Sequence, residues 1–128
     1  MKAKQEFIYS QHHENNTWAN KLFFYKDEIS IMENRLREIA AANTAKEVMA
    51  RVEHFQNQLI VQRNNIDAIK HALSQNDALL EKSIEANPTA TDHRKMAYHT
   101  EERETMEAFE KNFNELRSQL KQFLTQWL

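Results

Sequence analysis

The sequence predicts an all-α fold: an elongated antiparallel three-helix bundle with coiled-coil-like seams. Three observations indicate this fold. Apolar residues recur at alternating spacings of three and four in three long segments, which is the pattern of a helix with one buried stripe. Two short breaks, at Asn43–Thr44 and around Pro88, separate those segments. The 128 residues include no glycine and one proline, so little else interrupts helix formation, and we predict a single domain over residues 1–128.

The first predicted helix covers about residues 11–42. Its start is open by about two turns, because Ser10 and Asn16 both suit the N-cap. Asn43 tolerates the left-handed conformation that commonly ends a helix. The Thr44–Glu47 segment then matches a capping box, in which the first and fourth side chains satisfy free backbone N–H groups reciprocally. A hairpin this tight makes the first two helices antiparallel neighbours.

The second predicted helix, at about residues 45–86, is the element around which the bundle is organised. It reads as unbroken from Val48 to Ile84, and a seam of that length needs partner helices of similar length. Two polar residues interrupt the seam, Gln62 and Asn76. We expect Gln62 to hydrogen-bond Tyr25, which lies at the same level of the first helix. The apolar members of the seam are Val48, Val52, Phe55, Leu59, Ile66, Ile69, Leu73 and Leu80.

The third predicted helix, at about residues 92–127, has a seam that runs from Met106 to Trp127. Continuing the same spacing toward the N-terminus places Glu102 and His99 at positions that should be buried. In an antiparallel bundle Glu102 is level with Asn76 of the second helix and His99 with Leu79. Asn76 is in turn level with Gln11 of the first helix, which lies beside His12 and Asn15. The sequence therefore predicts a polar layer near one end of the bundle, built from all three helices.

This polar layer permits two interpretations. Imidazole and carboxylate side chains three residues apart on one helical face can share an ion, and the predicted metal set is His99, Glu102, His12 and Glu14. The alternative is a hydrogen-bonded layer that fixes the register of the helices. The Glu-x-x-His signature of di-iron bundles is absent from the sequence. The metal-binding bundle is thus the second prediction, and the first includes no cofactor.

Composition excludes several classes of function. Without glycine there is no phosphate-binding loop and no Rossmann turn, and without cysteine there is no thiolate catalysis. Acidic and basic residues are balanced along the chain, with a net charge of −2, so nucleic acid is not an expected partner. No apolar run is long enough for a membrane span. We predict a non-enzymatic protein, and a cytoplasmic one because the first ten residues lack the apolar core of a signal peptide.

Six apolar residues lie outside the predicted core stripes, two of which are Phe23 and Val61, and the other four indicate an interface. They are Phe24 and Ile31 in the first helix, and Met49 and Ile60 in the second. A three-helix core cannot easily cover all of them, and contiguous exposed apolar surface marks interaction sites. We therefore predict an interaction or oligomerisation module, either a homodimer or a protein that binds another helical protein.

Three runs of sequence carry a resemblance: residues 52–60, residues 65–67 and residues 109–116. They are similar to short all-helical proteins of Bacteroidota that have no assigned function. The three runs comprise 20 of the 128 residues and include no site motif. The resemblance implies a small stand-alone domain and no active residues. The predicted shape also resembles spectrin-type three-helix repeats, which is a likeness of architecture alone.

Overall fold

The computed structural model describes the backbone of residues 2–86 and 88–128, and the side chains of residues 10–78 and 99–128. This part of the chain forms three α-helices and no strand: α1 (Lys2–Ala42), α2 (Lys46–Ala86) and α3 (Pro88–Trp127). Each helix contacts the other two, with α2 antiparallel to both α1 and α3. The predicted all-α three-helix bundle is confirmed. At ~1.5 Å per residue, helices of this length make the bundle about 60 Å long.

Two helices begin earlier than predicted. α1 starts at Lys2, because no glycine or proline stops a helix there and a cap-forming serine or asparagine can also be accommodated inside a helix. α3 starts at Pro88. Proline suits the first position of a helix, since its missing N–H would have no partner there and its φ angle is already helical. The residue that was interpreted as a breaker is therefore the first residue of α3.

The turn between α1 and α2 differs from the prediction in one detail. None of the described residues has a positive φ angle, so the left-handed conformation predicted for Asn43 is wrong. Instead, the Asn43 side-chain amide donates to the carbonyl of Ile39 at 2.9 Å. It thereby satisfies one of the carbonyl groups that a helix end leaves without a partner. α2 then begins at Lys46, within one residue of its predicted start.

One apolar core runs along the bundle and is built from the predicted seams. Leu22 and Ile29 of α1, Leu59 and Ile66 of α2, and Phe113 of α3 are fully buried. Aromatic rings fill the end near the α1–α2 turn, where Phe55 and Phe123 lie 5.2 Å apart between centroids. Burying side chains of this size contributes roughly 1.5–3 kcal/mol each. The side chain of Leu80, the last member of the predicted α2 seam, lies outside the described residues.

Ion pairs at regular spacing join the parallel helices α1 and α3. In each pair the two residues are 89 positions apart in sequence, and successive pairs are seven residues apart, which is two turns of helix. The sign alternates: an acid of α1, then a base, then an acid. This arrangement specifies one axial register between two helices that no hairpin connects directly. The pairs are Glu14–Arg103, Lys21–Glu110 and Glu28–Arg117.

The predicted hydrogen bond between Gln62 and Tyr25 is not formed. The Tyr25 hydroxyl donates instead to Glu110 of α3, at 3.0 Å from its Oε2. The carboxylate is the stronger acceptor, and it lies one turn from Phe113, on which the Tyr25 ring packs. The Oε1 atom of Gln62 is left buried without a hydrogen-bond partner among the described residues. No helix in the described part of the chain is long and apolar enough to cross a membrane.

Candidate functional site

The four predicted interface residues are all exposed. Phe24 and Ile31 of α1 are 69% and 53% exposed, and Met49 and Ile60 of α2 are 38% and 46% exposed. The core leaves these side chains uncovered because each helix contacts its neighbours through only one side of its circumference. Large apolar side chains exposed to this degree are candidates for contact with another molecule.

The four residues do not share one side of the bundle. On α1, Phe24 is three residues beyond Lys21 and Ile31 is three beyond Glu28. Lys21 and Glu28 both reach α3, so Phe24 and Ile31 lie beside the contact of α1 with α3, since residues three apart are neighbours on a helix surface. We refer to these two side chains, which are seven residues apart, as the α1 stripe.

Met49 and Ile60 lie on the opposite flank. Arg63 of α2 contacts Glu33 of α1, and Met49 precedes Arg63 by two heptads, which places it on the same edge of α2. Ile60 is three residues before Arg63 and so is its surface neighbour. These two side chains border the contact of α2 with α1. The predicted interface residues therefore form two separate exposed sites.

Three charged residues around the α1 stripe are paired within the chain, whereas the exposed Asp27, which lies between Phe24 and Ile31, has no ion-pair partner among the described side chains. Lys21 lies 3.7 Å from Glu110, and Glu28 accepts a hydrogen bond from Arg117 at 2.5 Å. Arg35, one turn beyond Ile31, pairs with Glu38. A molecule that covers the stripe thus meets apolar side chains bordered by ion pairs and by one unpaired carboxylate, that of Asp27.

The predicted polar layer is present. Four polar residues that the seams placed in the interior, or beside it, are more than nine-tenths buried: Gln11, Asn15, His99 and Glu102. Asn15 donates to Asp77 of α2 at 2.7 Å. Asn76 of α2 donates to Glu102 of α3. The layer therefore links α2 to both other helices by side-chain hydrogen bonds.

His99 occupies the centre of this layer. Its Nε2 atom lies 3.0 Å from Glu14 Oε2, and its Nδ1 atom lies 3.7 Å from Glu102 Oε2. The imidazole ring stacks on Trp18, with 5.2 Å between ring centroids and 24° between planes. The ring is thus held between carboxylates of α1 and α3 and against an indole, which fixes its orientation.

The set predicted for a metal ion does not assemble as expected. His99, Glu14 and Glu102 are brought together, but His12 points elsewhere: its Nδ1 atom lies 3.6 Å from Asp77 of α2. Among the described side chains, no group of three or more histidine, aspartate and glutamate residues could hold a metal ion. The three that meet at His99 are instead engaged in ion pairs and hydrogen bonds, so their geometry corresponds to the register-fixing interpretation.

The Glu14 carboxylate contacts two residues of α3, His99 and Arg103. Burial acts to raise its pKa, but hydrogen bonds from Arg103 and His99, together with their positive charge, hold the pKa of Glu14 below its usual value of 4.5. Arg103 contributes two contacts of 3.1 Å, one to each carboxylate oxygen. Such a bidentate pair is directional as well as electrostatic. It is the first of the three ion pairs between α1 and α3.

The sequence reasoning missed a groove between α2 and α3. Its volume is about 400 Å³, and its lining is rich in carboxamides. The signal that could have revealed it is the scarcity of charged residues at the positions that flank the α2–α3 seam. The groove is lined by Gln58 and Val61 of α2 and by Asn112, Glu115 and Gln119 of α3, among others.

Comparison of the chain with protein-family models, with curated proteins and with solved structures finds no match in any of the three. The resemblance to short helical proteins of Bacteroidota accordingly stays a prediction. The exposed apolar surface and the polar layer are therefore the features that bear on function.

Proposed function

We propose that this chain is a non-enzymatic interaction module that associates with a second copy of itself through the α1 stripe. The observation that carries the proposal is the exposure of Phe24 and Ile31, at 69% and 53%, on one flank of one helix. Water-exposed aromatic and aliphatic groups in this arrangement gain free energy when a partner covers them, at roughly 25 cal/mol per Å² of apolar area.

A second copy suits this surface for two reasons. It supplies an identical stripe, so a two-fold antiparallel contact would set Phe24 of one copy against Ile31 of the other. Three of the bordering charges are neutralised within each copy, which leaves one carboxylate, Asp27, and the net charge of −2 per chain gives little long-range repulsion between copies. Another helical protein with a similar stripe is the alternative occupant.

The test is the solution mass, measured by light scattering behind size exclusion. For the wild type we expect at least twice the 15.3 kDa of one chain. Substituting Phe24→Glu and Ile31→Glu together should lower the mass, because each contact would then bury unpaired charge. Both positions are exposed, so the helical content measured by circular dichroism should not change.

The matched control is the double variant Met49→Glu, Ile60→Glu, which adds the same charge to the other exposed apolar site. Its mass should equal that of the wild type. A wild-type mass of 15.3 kDa at every concentration, or an unchanged mass for the Phe24/Ile31 variant, would contradict the proposal. Loss of mass in the Met49/Ile60 variant alone would move the contact to the α1–α2 flank.

A further inference from the structure

The groove between α2 and α3 lies on a face of the bundle that is different from the α1 stripe. Its walls are helix surfaces of the two antiparallel helices, and it encloses about 400 Å³. Gln58 and Val61 line it from α2, and Asn112, Glu115 and Gln119 line it from α3. Val61 is 54% exposed, so the groove has an apolar edge among carboxamides.

Charge is distributed unequally among the three seams of the bundle. Ion pairs border the contact of α1 with α3 and also the contact of α1 with α2, where Lys26 meets Asp67 and Arg63 meets Glu33. Between residues 54–72 of α2 and 105–126 of α3, no ion pair joins the described side chains across the groove. Depletion of charged residues distinguishes the centre of an interface from ordinary protein surface.

The scarcity of charged side chains continues along both helices beyond the groove. Seven-residue steps from Gln58 and Val61 lead on α2 to Asn65 and Ala68, and corresponding steps back on α3 lead to Ala108. All three are exposed and uncharged. The small alanine side chains on the two helices allow another helix surface to approach closely. The result is a face several turns long, and Glu115 is the one carboxylate that lines its groove.

We infer that this α2–α3 face binds the same face of a second copy of the chain. A carboxamide carries both donors and an acceptor, so a surface of asparagine and glutamine is complementary to itself, which a surface of like charges is not. A two-fold contact requires that self-complementarity.

This contact is separate from the one through the α1 stripe and does not depend on it. The two surfaces lie on different seams, so one chain can use both at once. Two distinct self-contacts on one subunit produce either a closed tetramer with dihedral symmetry or an open chain. The wild type is then expected to exceed the mass of a dimer at high concentration, and each contact can be removed by itself.

The test introduces one charge into the α2–α3 face. Ala68→Glu should weaken association through this face by about tenfold or more, because opposed or unpaired charges in an interface cost several kcal/mol. Ala108→Lys, on the facing helix, provides a second variant with a charge of the opposite sign. Ala78→Glu is the matched control, since Ala78 is also an exposed alanine of α2 but directly follows Asp77, which pairs with α1. Circular dichroism and the melting temperature verify that each variant folds.

The masses of these variants and of the Phe24/Ile31 variant separate the two proposals. Support requires that Ala68→Glu and Ala108→Lys both reduce the mass or its concentration dependence, while Ala78→Glu matches the wild type. Association that is unaffected by Ala68→Glu but removed by the Phe24/Ile31 variant overturns the α2–α3 contact and leaves the proposed function standing. Association that only the Ala68 and Ala108 variants remove supports the α2–α3 contact and overturns the α1 stripe. A monomeric wild type overturns both.

Discussion

At the scale of single residues, Tyr25 joins the apolar core to the charged surface between α1 and α3. Its ring packs on Phe113, with 4.7 Å between centroids, while its hydroxyl donates to Glu110. Burial, followed by the hydrogen bond to the ionised Glu110 and by the charge of that residue, raises the pKa of Tyr25 to about 12. Because the folded state holds the proton more tightly, the associated stability is complete below pH 10.0 and is lost as the pH rises toward 12.

Tyr25→Phe should therefore remove one late step from the alkaline absorbance titration of the three tyrosines. The variant also loses the hydroxyl that bonds Glu110, so its free energy of unfolding in urea at neutral pH should fall by about 1 kcal/mol. Lys21 remains beside Glu110, which limits the penalty. If all three tyrosines of the wild type ionise together near pH 10.0, the burial and hydrogen bond described for Tyr25 are incorrect.

At the scale of the helices, the α1–α3 ion pairs specify the axial register of α1 relative to α3. The Glu28–Arg117 pair has two contacts that fix its geometry. Arg117 donates to Glu28 at 2.5 Å and also lies over the Phe113 ring, 4.9 Å from its centroid. Reversing one partner opposes like charges across the seam, whereas reversing both restores an ion pair in the other orientation.

Glu28→Arg and Arg117→Glu should each lower the free energy of unfolding, and the double variant should recover part of the loss. We expect a coupling energy of about 0.5–1 kcal/mol, which is the scale of a partly exposed pair. Recovery will be incomplete, since a glutamate at position 117 cannot make the cation–π contact with Phe113. Equilibrium urea unfolding of the wild type, the two single variants and the double variant measures the coupling energy. If the two single losses simply add in the double variant, the Glu28–Arg117 pair contributes nothing to the register.

At the scale of the whole molecule, the apolar spacing was sufficient to predict the three helices and the core, because burial along a seam follows from periodicity alone. Extending the α3 seam backward also located His99 and Glu102 in a polar layer, and both are buried. Side-chain partners were harder to predict. His12 pairs with Asp77 rather than with His99, since such choices depend on rotation and axial offset of the helices to within about one turn.

The exposed surface was predicted residue by residue but not as a shape. Phe24, Ile31, Met49 and Ile60 are exposed as expected, yet they divide between two flanks, because a shared axial level does not imply a shared side. The α2–α3 groove escaped notice because its signal is a scarcity of charge rather than a motif. The two flanks and the groove depend on which edge of each helix faces which neighbour, and the ion pairs of the folded protein define those edges.

Because of the polar layer, the free energy of unfolding of the whole bundle should decrease as the pH falls below 4.5. Glu14 links α1 to His99 and Arg103 of α3, and these contacts hold its pKa below 4.5. A carboxylate whose pKa is lowered by folding contributes stability that is complete above 4.5 and is lost as the pH falls through the folded pKa. Glu14→Gln should therefore flatten the decline of the urea unfolding free energy below that pH. Glu104→Gln, at an exposed position of α3, should decline as the wild type does, and identical slopes for the two variants would show that this end of the bundle is held together without Glu14.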